Sequence, residues 1–537
     1  MHFKREENDL EEVSSDRIVD ISHRKPIKRY YLARHTHQGG FNLDKIIANK
    51  DSSDRGHESL LRNDDDFFDS MYPNSSNAHQ EVKKLLVAVI PCYTKEDELN
   101  ITLQSLQEQT VVPDWIMIVL NGPEPNNGNT SIAEKQAREF EKKYSNIQIV
   151  KLEEKGKVTV LNFSFKYLFE QIFKYNNNGI RLRIPHVLYM DADVRCDPNM
   201  IQNLHTELED SPNAAGIMAR YSFEFAENKK YTASERSFLY GQRAEFAMKT
   251  TIQQVRRQTE ILGGQGTLFR FSALVDAAKQ SFGRLPWNPD SKVEDAELTK
   301  VLQGLGYQTI TSSKARAWVG PMLNSHSWNK QRQKWQDGHL EDLSKGVKPY
   351  RDRYRLMEQF YLGWNLLLRV IFIAVLLTGL SMEKIVLNKS MLIWLAPIIL
   401  SSLLGFSVAR KIPGAGTWEV IRSLLYIPGE IYYLRTLSVW LNSMIVLFFG
   451  FSRDGWGNQD AAESSQRKTN ILSWIILLFC MLIVSTSLFA LSYLNVAWFN
   501  SVYDVLMTIL ALMTVLSCVH LYHRGVSIFR ARRRVNP

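Results

Sequence analysis

The run His186-Val-Leu-Tyr-Met-Asp-Ala-Asp193 constrains this chain more than any other. Consecutive apolar residues, without the polar alternation of a half-solvated strand, predict a short strand buried on both faces. Such a strand normally stops at turn residues. This one stops on two carboxylates, Asp191 and Asp193. Acids one residue apart at a strand end can place their oxygens around one hard divalent cation. Mg²⁺ and Mn²⁺ take such ligands, together with phosphate oxygens of a substrate. An isolated Asp-x-Asp is also an ordinary acidic turn, so the pair gains meaning only from its surroundings.

The surroundings repeat one pattern. Strand-like runs at Leu86–Ile90, Ile116–Leu120, Ile147–Val150 and Val187–Met190 alternate with helical stretches at Glu98–Gln109, Ile132–Tyr144 and Thr159–Phe173. That alternation predicts a mostly parallel sheet with helices on both faces. Ligands bind such sheets beyond the carboxyl ends of the strands, where Pro91, Asn121 and Asp191 all fall. A glycine cluster at Leu262-Gly-Gly-Gln-Gly-Thr-Leu-Phe-Arg270 lets a ligand approach backbone closely. A second acidic pair, Glu294-Asp295, opens an apparent helix carrying Leu298, Val301, Leu302 and Leu305 before Gly306. Acids in a first helical turn also serve as plain dipole partners. Further on, Gln331-Arg-Gln-Lys-Trp335 sets a Trp and a Gln among cations.

With these motifs in this order, the span from about Lys84 to Lys345 resembles the catalytic domain of a membrane-integrated family 2 glycosyltransferase, the group of cellulose, chitin and hyaluronan synthases. The matching residues are Pro91-x-Tyr93, Lys155-Gly-Lys157 with Asn162, Asp191-Ala-Asp193, Glu294-Asp295 and Gln331 to Trp335. The resemblance implies a GT-A-like domain and an inverting transfer from a nucleotide sugar, most often a UDP-sugar, assisted by Mg²⁺ or Mn²⁺. It assigns Pro91, Tyr93, Glu96, Asn121, Lys157, Asp191 and Asp193 to the donor, with Asp193 and Asp191 on the metal. It makes Asp295 the general base, with Glu294 beside it, and places Gly264, Gln265, Gln331, Arg332, Lys334 and Trp335 toward the acceptor and pyrophosphate. The chain departs from the family twice. Asn121 stands where an Asp usually binds uridine, and Lys334 replaces an Arg, keeping the charge and losing the planar fork. Lys157 reads either as a donor contact or as a solvated surface lysine, and Trp335 either as a sugar platform or as a core or membrane-interface anchor. His326 and His339 flank that motif without metal-ligand spacing.

The mean hydropathy is −0.22 despite a hydrophobic share of 45%, so the apolar residues must cluster. They do, at Gly363–Leu380, Met391–Ala409, Ile471–Leu494 and Ser501–Tyr522. Each run approaches the length of a helix that crosses the hydrocarbon of a bilayer. The net charge of +9 concentrates beside these runs, at Arg351, Arg353, Arg355, Arg410, Lys411, Arg422, Arg524 and Arg530 to Arg534. This follows the positive-inside rule better than a nucleic-acid patch, and puts the catalytic domain and both termini in the cytoplasm of a cell-membrane protein. The loops Ser381–Ser390 and Asn495–Asn500 then face outward. Leu424–Phe449 is also apolar, but Pro428-Gly429 break its start and Glu430 and Arg435 interrupt it, so it reads as one or two interfacial helices.

The resulting organisation is an α/β domain followed by membrane helices. It comprises a charged accessory or disordered segment over 1–83, the GT-A-like domain over 84–350, a membrane region over 351–523 with interfacial helices near 417–450, and a basic tail over 524–537. An ordered element around Ile27–Ala33 is an open question. Cys92, Cys196, Cys480 and Cys518 lack metal spacing and read as reduced packing thiols. The expected partners are a nucleotide-sugar donor, a carbohydrate or lipid-linked acceptor and membrane lipids. The competing reading is an inactive polytopic scaffold or export component, against which the retained acids speak.

Overall fold

The structure is a computed structural model. It describes residues 10–14, 29–33, 43–44, 82–122, 130–178, 180–225, 229–281, 284–291, 293–344, 349–381, 395–412, 414–449, 486–487, 490, 493 and 499–535. Nearly all of Ile471–Leu494, the outward loops, Cys480 and most of the first 81 residues lie outside that set. The chain divides into two units, the first comprising Met1–Glu224 with Arg256–Gly320 and the second Phe225–Val255 with Pro321–Pro537.

The first unit is a sheet with helices on both faces. Its strands in chain order are β1 (Leu10–Ser14), β2 (Arg29–Ala33), β3 (Val82–Tyr93), β4 (Trp115–Asn121), β5 (Ile147–Leu152), β6 (Arg181–Met190), β7 (Val194–Cys196), β8 (Ala214–Phe223), β9 (Gln265–Arg270) and β10 (Gln308–Val319). They lie side by side as β1-β2-β5-β4-β3-β6-β9-β8-β10-β7. The stretch β5-β4-β3-β6 is parallel, as the βα alternation predicts. Beyond it the expectation of a mostly parallel sheet fails. β9 is antiparallel to both β6 and β8, and β7 to β10, so the sheet is mixed. The physical reason is the route of the chain, which returns to the slot between β6 and β8 only after a long helical excursion. Within the segment read as accessory, β1 and β2 form a hairpin that extends the sheet antiparallel to β5.

Strand alternation divides the core in two. Val87, Val89, Trp115, Met117 and Val119 face one layer of helices, while Leu86, Ala88, Ile90, Ile116, Ile118 and Leu120 face the other. The first layer contains α3 (Lys157–Asn177), α6 (Phe271–Gln280) and α7 (Glu294–Gly304); the second contains α1 (Leu99–Gln107), α2 (Ile132–Lys143) and α4 (Met200–Glu209). Both layers are apolar, which is why the strands read as unbroken hydrophobic runs.

The second unit is helical, with α5 (Ala233–Arg256, of which residues up to Val255 belong here), α8 (Ser325–Ser344), α9 (Pro349–Ser381), α10 (Leu395–Ala409), α11 (Thr417–Arg422), α12 (Tyr426–Phe449) and α13 (Phe499–Val535). Two stretches among the described residues, 355–373 and 426–448, are long and apolar enough to cross a membrane by length and composition alone. Pro428 does not break α12, because it sits in the first turn, where backbone N–H groups have no intrahelical acceptor to lose. Nor do its charges interrupt it. Glu430 accepts from Nε and Nη2 of Arg369 at 2.5 and 2.8 Å, and Arg435 lies over the Phe238 ring at 4.1 Å. Cys92, Cys196 and Cys518 are free thiols.

Trp115 is fully buried, and its indole N–H donates to Gln148 at 3.1 Å. Replacing it with Ala removes the largest side chain of the central strands and costs about 3–5 kcal/mol. Trp115→Phe keeps most of the packing and costs far less. Denaturant unfolding of the two variants checks this ordering.

Candidate active site

The site is assembled at the carboxyl end of β6. Asp191 follows Met190 directly, and its N–H donates to the Gly264 carbonyl at 2.6 Å, which ties the strand end to the glycine cluster. Gly264 has no alternative here. A Cβ on it would lie 2.2 Å from the Asp191 carboxylate. The Gly264 N–H in turn donates to the Asp295 carboxylate. Asp295 occupies the first turn of α7, and its carbonyl accepts from the Thr299 hydroxyl at 2.6 Å. That hydroxyl accepts the Leu262 N–H at 2.8 Å, so helix and glycine turn hold each other.

Lys157 binds these pieces together. Gly156 takes a φ of +119°, a conformation that side chains disfavour, and turns the chain from β5 into α3 with Lys157 as its first residue. The ammonium reaches Asp191 at 2.7 Å, Glu294 at 3.4 Å and Asp295 at 3.8 Å. With its side chain only 18% exposed, it is an internal counter-ion and not a solvated surface lysine. Burial pulls its pKa down, but the three carboxylates outweigh that and hold it well above the usual lysine range. Burial raises the Asp295 pKa; Lys157 pulls it back, and Glu294 and Asp191 push it up again. Asp193 lies just beyond, raised by the protein around it and by the charges of Asp191 and Glu96. Its side chain meets solvent, and repulsion from its two acidic neighbours holds it above the usual carboxylate range.

A narrow cleft opens over this cluster. Of the sequence-derived candidates, Pro91, Lys157, Asp191, Gly264 and Asp295 line it, and Glu294 joins through Lys157. Tyr93 and Asn121 stand opposite each other at the ends of β3 and β4, and Gln265 opens β9. The cleft also contains residues that sequence reasoning missed, namely Leu161, Tyr189, Leu262, Phe269 and Trp287. Trp287 is held by Asn162, whose amide donates to its carbonyl at 2.8 Å and accepts its N–H at 3.2 Å. Asn162 therefore shapes the cleft wall from behind. The Pro286-Trp287-Asn288 segment between the glycine cluster and the second acidic pair was the available signal.

Gln331, Arg332, Lys334 and Trp335 lie on α8 in the second unit. Arg332 is buried there, 2.9 Å from Glu245 and over the rings of Trp335, Phe246 and Trp328 at 4.6, 4.9 and 5.6 Å. Burial alone would raise the Glu245 pKa, but Arg332 and Lys249 together bring it down to about 2. Among the described residues, His186, His205 and Glu209 also gather as a possible metal-binding group. The Arg270 guanidinium stands 3.4 Å from both His186 and Glu209, so a cation already occupies their surroundings.

Residues 87–276 match the family model described as glycosyl transferase family 2, and residues 186–408 match that of glycosyl transferase family group 2. The chain is a glycosyltransferase with a family 2 domain. No curated protein matches it. Among solved structures, a mannosyltransferase from Pyrobaculum calidifontis, in complex with GDP-Man and Mn²⁺, is 14% identical with a TM-score of 0.40, over 68% of this chain and 88% of that one. TarS residues 1–349 from S. aureus are 12% identical with a TM-score of 0.31, over 68% and 92%. Superpositions this loose establish nothing further about the glycosyltransferase.

Gly264→Ala should leave the protein folded and lower nucleotide release from a sugar donor by about tenfold or more, because misplacement of about 1 Å at a reacting group is enough. Gly320→Ala, whose Cβ would come no nearer than 3.9 Å to its first neighbour, should leave that rate unchanged.

Proposed function

We propose that the enzyme is a membrane-bound inverting transferase that moves a sugar from a nucleotide-sugar donor to a growing polysaccharide or a glycolipid. The observation that carries this reading is the single cleft in which Lys157, Asp191 and Asp295 meet. Inverting transfer needs one base on the acceptor side and neutralisation of the leaving diphosphate, and this cleft offers both kinds of group. Asp295 takes the acceptor proton. Its pKa, raised by burial and by Glu294, brings it nearer to the working range of a general base. Lys157 offers its ammonium to the diphosphate as the donor enters.

Asp193 and Asp191 would hold a divalent cation. The fit rests on the donor set itself: adjacent carboxylates that repel one another and Glu96, with Asp193 facing solvent. Such an ion supplies positive charge against the leaving diphosphate. Excess chelator should abolish nucleotide release, and Asp193→Ala should lower it far more than loss of an acid outside the cleft such as Asp210. Full turnover in chelator refutes metal assistance.

On α8, Arg332 is committed to Glu245 and props Trp335 by stacking, so the acceptor role passes to Trp335 with Gln331, and phosphate contact to Lys334. Asp295→Asn should retain nucleotide binding while losing transfer by about 10²–10⁴-fold. Trp335→Ala should also bind nucleotide, and should shift the reaction from transfer toward hydrolysis of the donor by water. Separate measurement of bound nucleotide, released nucleotide and glycosylated product resolves the two defects. If Asp295→Asn keeps full transfer, Asp295 is not the base; a wild type that releases no nucleotide from any sugar donor favours the scaffold reading instead.

For the membrane region, we favour α12 lying at the interface. One side of it packs lengthwise on α8, a helix rich in charge. Tyr432 accepts from Trp328 at 3.1 Å, and Ser443 and Asn442 meet Gln333 at 2.6 and 2.7 Å. Side chains such as Ile427, Ile431 and Phe448 remain exposed, as in an amphipathic helix on a bilayer surface. The crossings then come from the other apolar runs in even number, with the catalytic domain and both ends in the cytoplasm. Tags at either terminus should be protease-accessible from the cytoplasmic side alone.

A further inference from the structure

The two acids that would share a cation are held differently by the chain. Asp193 is exposed. Asp191 is half-buried, and its Oδ1 already accepts the Lys157 ammonium at 2.7 Å. Its carboxylate also lies close against the glycine cluster, where a Cβ on Gly264 would stand 2.2 Å from Oδ2 and 2.4 Å from Oδ1. The backbone fixes this posture, since the Asp191 N–H donates to the Gly264 carbonyl at 2.6 Å. One acid of the pair is open, and the other is engaged by a positive charge of the chain's own.

That charge cannot simply be withdrawn. The backbone of Lys157 is fixed as the first residue of α3, behind Gly156 at a φ of +119°, so only its flexible stem can move. Its side chain is 18% exposed and is shared among Asp191, Glu294 at 3.4 Å and Asp295 at 3.8 Å. A partly buried ammonium taken from its nearest carboxylate needs another anion, or the loss of pairing costs stability. A bare divalent cation brings no anion. It must compete with Lys157 for Asp191 while adding a second positive charge a few ångströms away, and like charges at that range repel. A nucleoside diphosphate does bring the anion, because phosphate oxygens accept an ammonium well. With Lys157 turned to the phosphates, Asp191 is free to act beside Asp193.

We propose that Lys157 makes divalent-cation binding conditional on the nucleotide: in the ligand-free chain its ammonium holds Asp191 closed to the cation, and it releases Asp191 when the diphosphate of the donor takes its place. This rests on the metal-assisted reading above and adds an order of events to it. Nucleotide and cation then raise each other's affinity by one and the same factor, as linkage requires. A cation shared by carboxylates and phosphates alone would also couple to the nucleotide, but that coupling would not depend on a lysine. Here it does, and this separates the two explanations.

The test is Mn²⁺ binding to the full chain, followed by electron paramagnetic resonance of the free ion, alone and with UDP or GDP. The same nucleotide with Mn²⁺ and no protein serves as the reference. The wild type should bind Mn²⁺ weakly alone and about tenfold or more tightly with one of the two nucleotides, within the usual range of coupling between sites. Lys157→Met should bind Mn²⁺ alone about tenfold or more tightly than the wild type does, and the nucleotide should then add little. Lys157→Gln gives the same readout should Lys157→Met fail to fold, and Lys157→Arg, which keeps the charge, should bind Mn²⁺ alone as weakly as the wild type. Lys279→Met, which removes an exposed lysine paired with Asp276, should match the wild type throughout. Adding Asp193→Ala to Lys157→Met should abolish the gain; a gain that remains lies at another site and overturns the proposal. Mn²⁺ binding in the neutral variants no tighter than in the wild type overturns it too, as does full nucleotide coupling that survives in them. Nucleotide release with and without chelator tests the metal-assisted reading separately. Release that stops in chelator, with neutral variants that bind Mn²⁺ no tighter, leaves that reading standing and removes only the role given to Lys157.

Discussion

The first unit depends on one ammonium group. Lys157 touches Asp191, Glu294 and Asp295, which come from two regions of sequence more than a hundred residues apart. Without it, three carboxylates around a partly buried cleft would repel, and the cluster would protonate or open. Its position follows from chemistry already present in the chain. Gly156 turns the backbone at a positive φ, and α3 packs its apolar face on the sheet so that its first residue points at the end of β6. Gly264 completes the assembly by letting Asp191 lie against backbone with no Cβ between them.

This arrangement also explains the division of labour. Asp295 is held by Gly264 N–H and Lys157, which keep it ionisable inside a low-dielectric site. At Asp193 the repulsion of Asp191 and Glu96 outweighs a backbone N–H and the more weakly felt Lys157, and the side chain faces solvent. In the function we propose, the first acid takes a proton and the second a cation. Two carboxylates of the same kind are separated in role by what surrounds them.

Much of this was legible in the chain. The parallel strands β3 to β6 are buried on both faces and read as unbroken apolar runs, and α7 begins at its acids and ends before Gly306, whose φ is +92°. Asp191 was legible because a strand ending on carboxylates conflicts with its own pattern. What escaped has physical causes. β10, Gln308–Val319, is a strand of Thr, Ser, Lys and Arg whose polar groups bond to Glu207 and to neighbouring strands, so it has no hydrophobic signature. β9 runs antiparallel because of where the chain returns, which no local pattern encodes. Lys157 was ambiguous because the acids that define it arrive from distant segments. In α12, Glu430 and Arg435 read as interruptions only while Arg369 and the Phe238 ring were unknown.

The central claim is that Lys157 sets the protonation of the base. The direct measurement is the pH profile of nucleotide release in the wild type and in Lys157→Met. Lys157 lowers the Asp295 pKa, while burial, Glu294 and Asp191 raise it. Removing the ammonium must therefore raise that pKa further, keep the base protonated to higher pH and move the acidic limb of the profile upward. An acidic limb that stays where it is in Lys157→Met, with activity otherwise retained, contradicts the account.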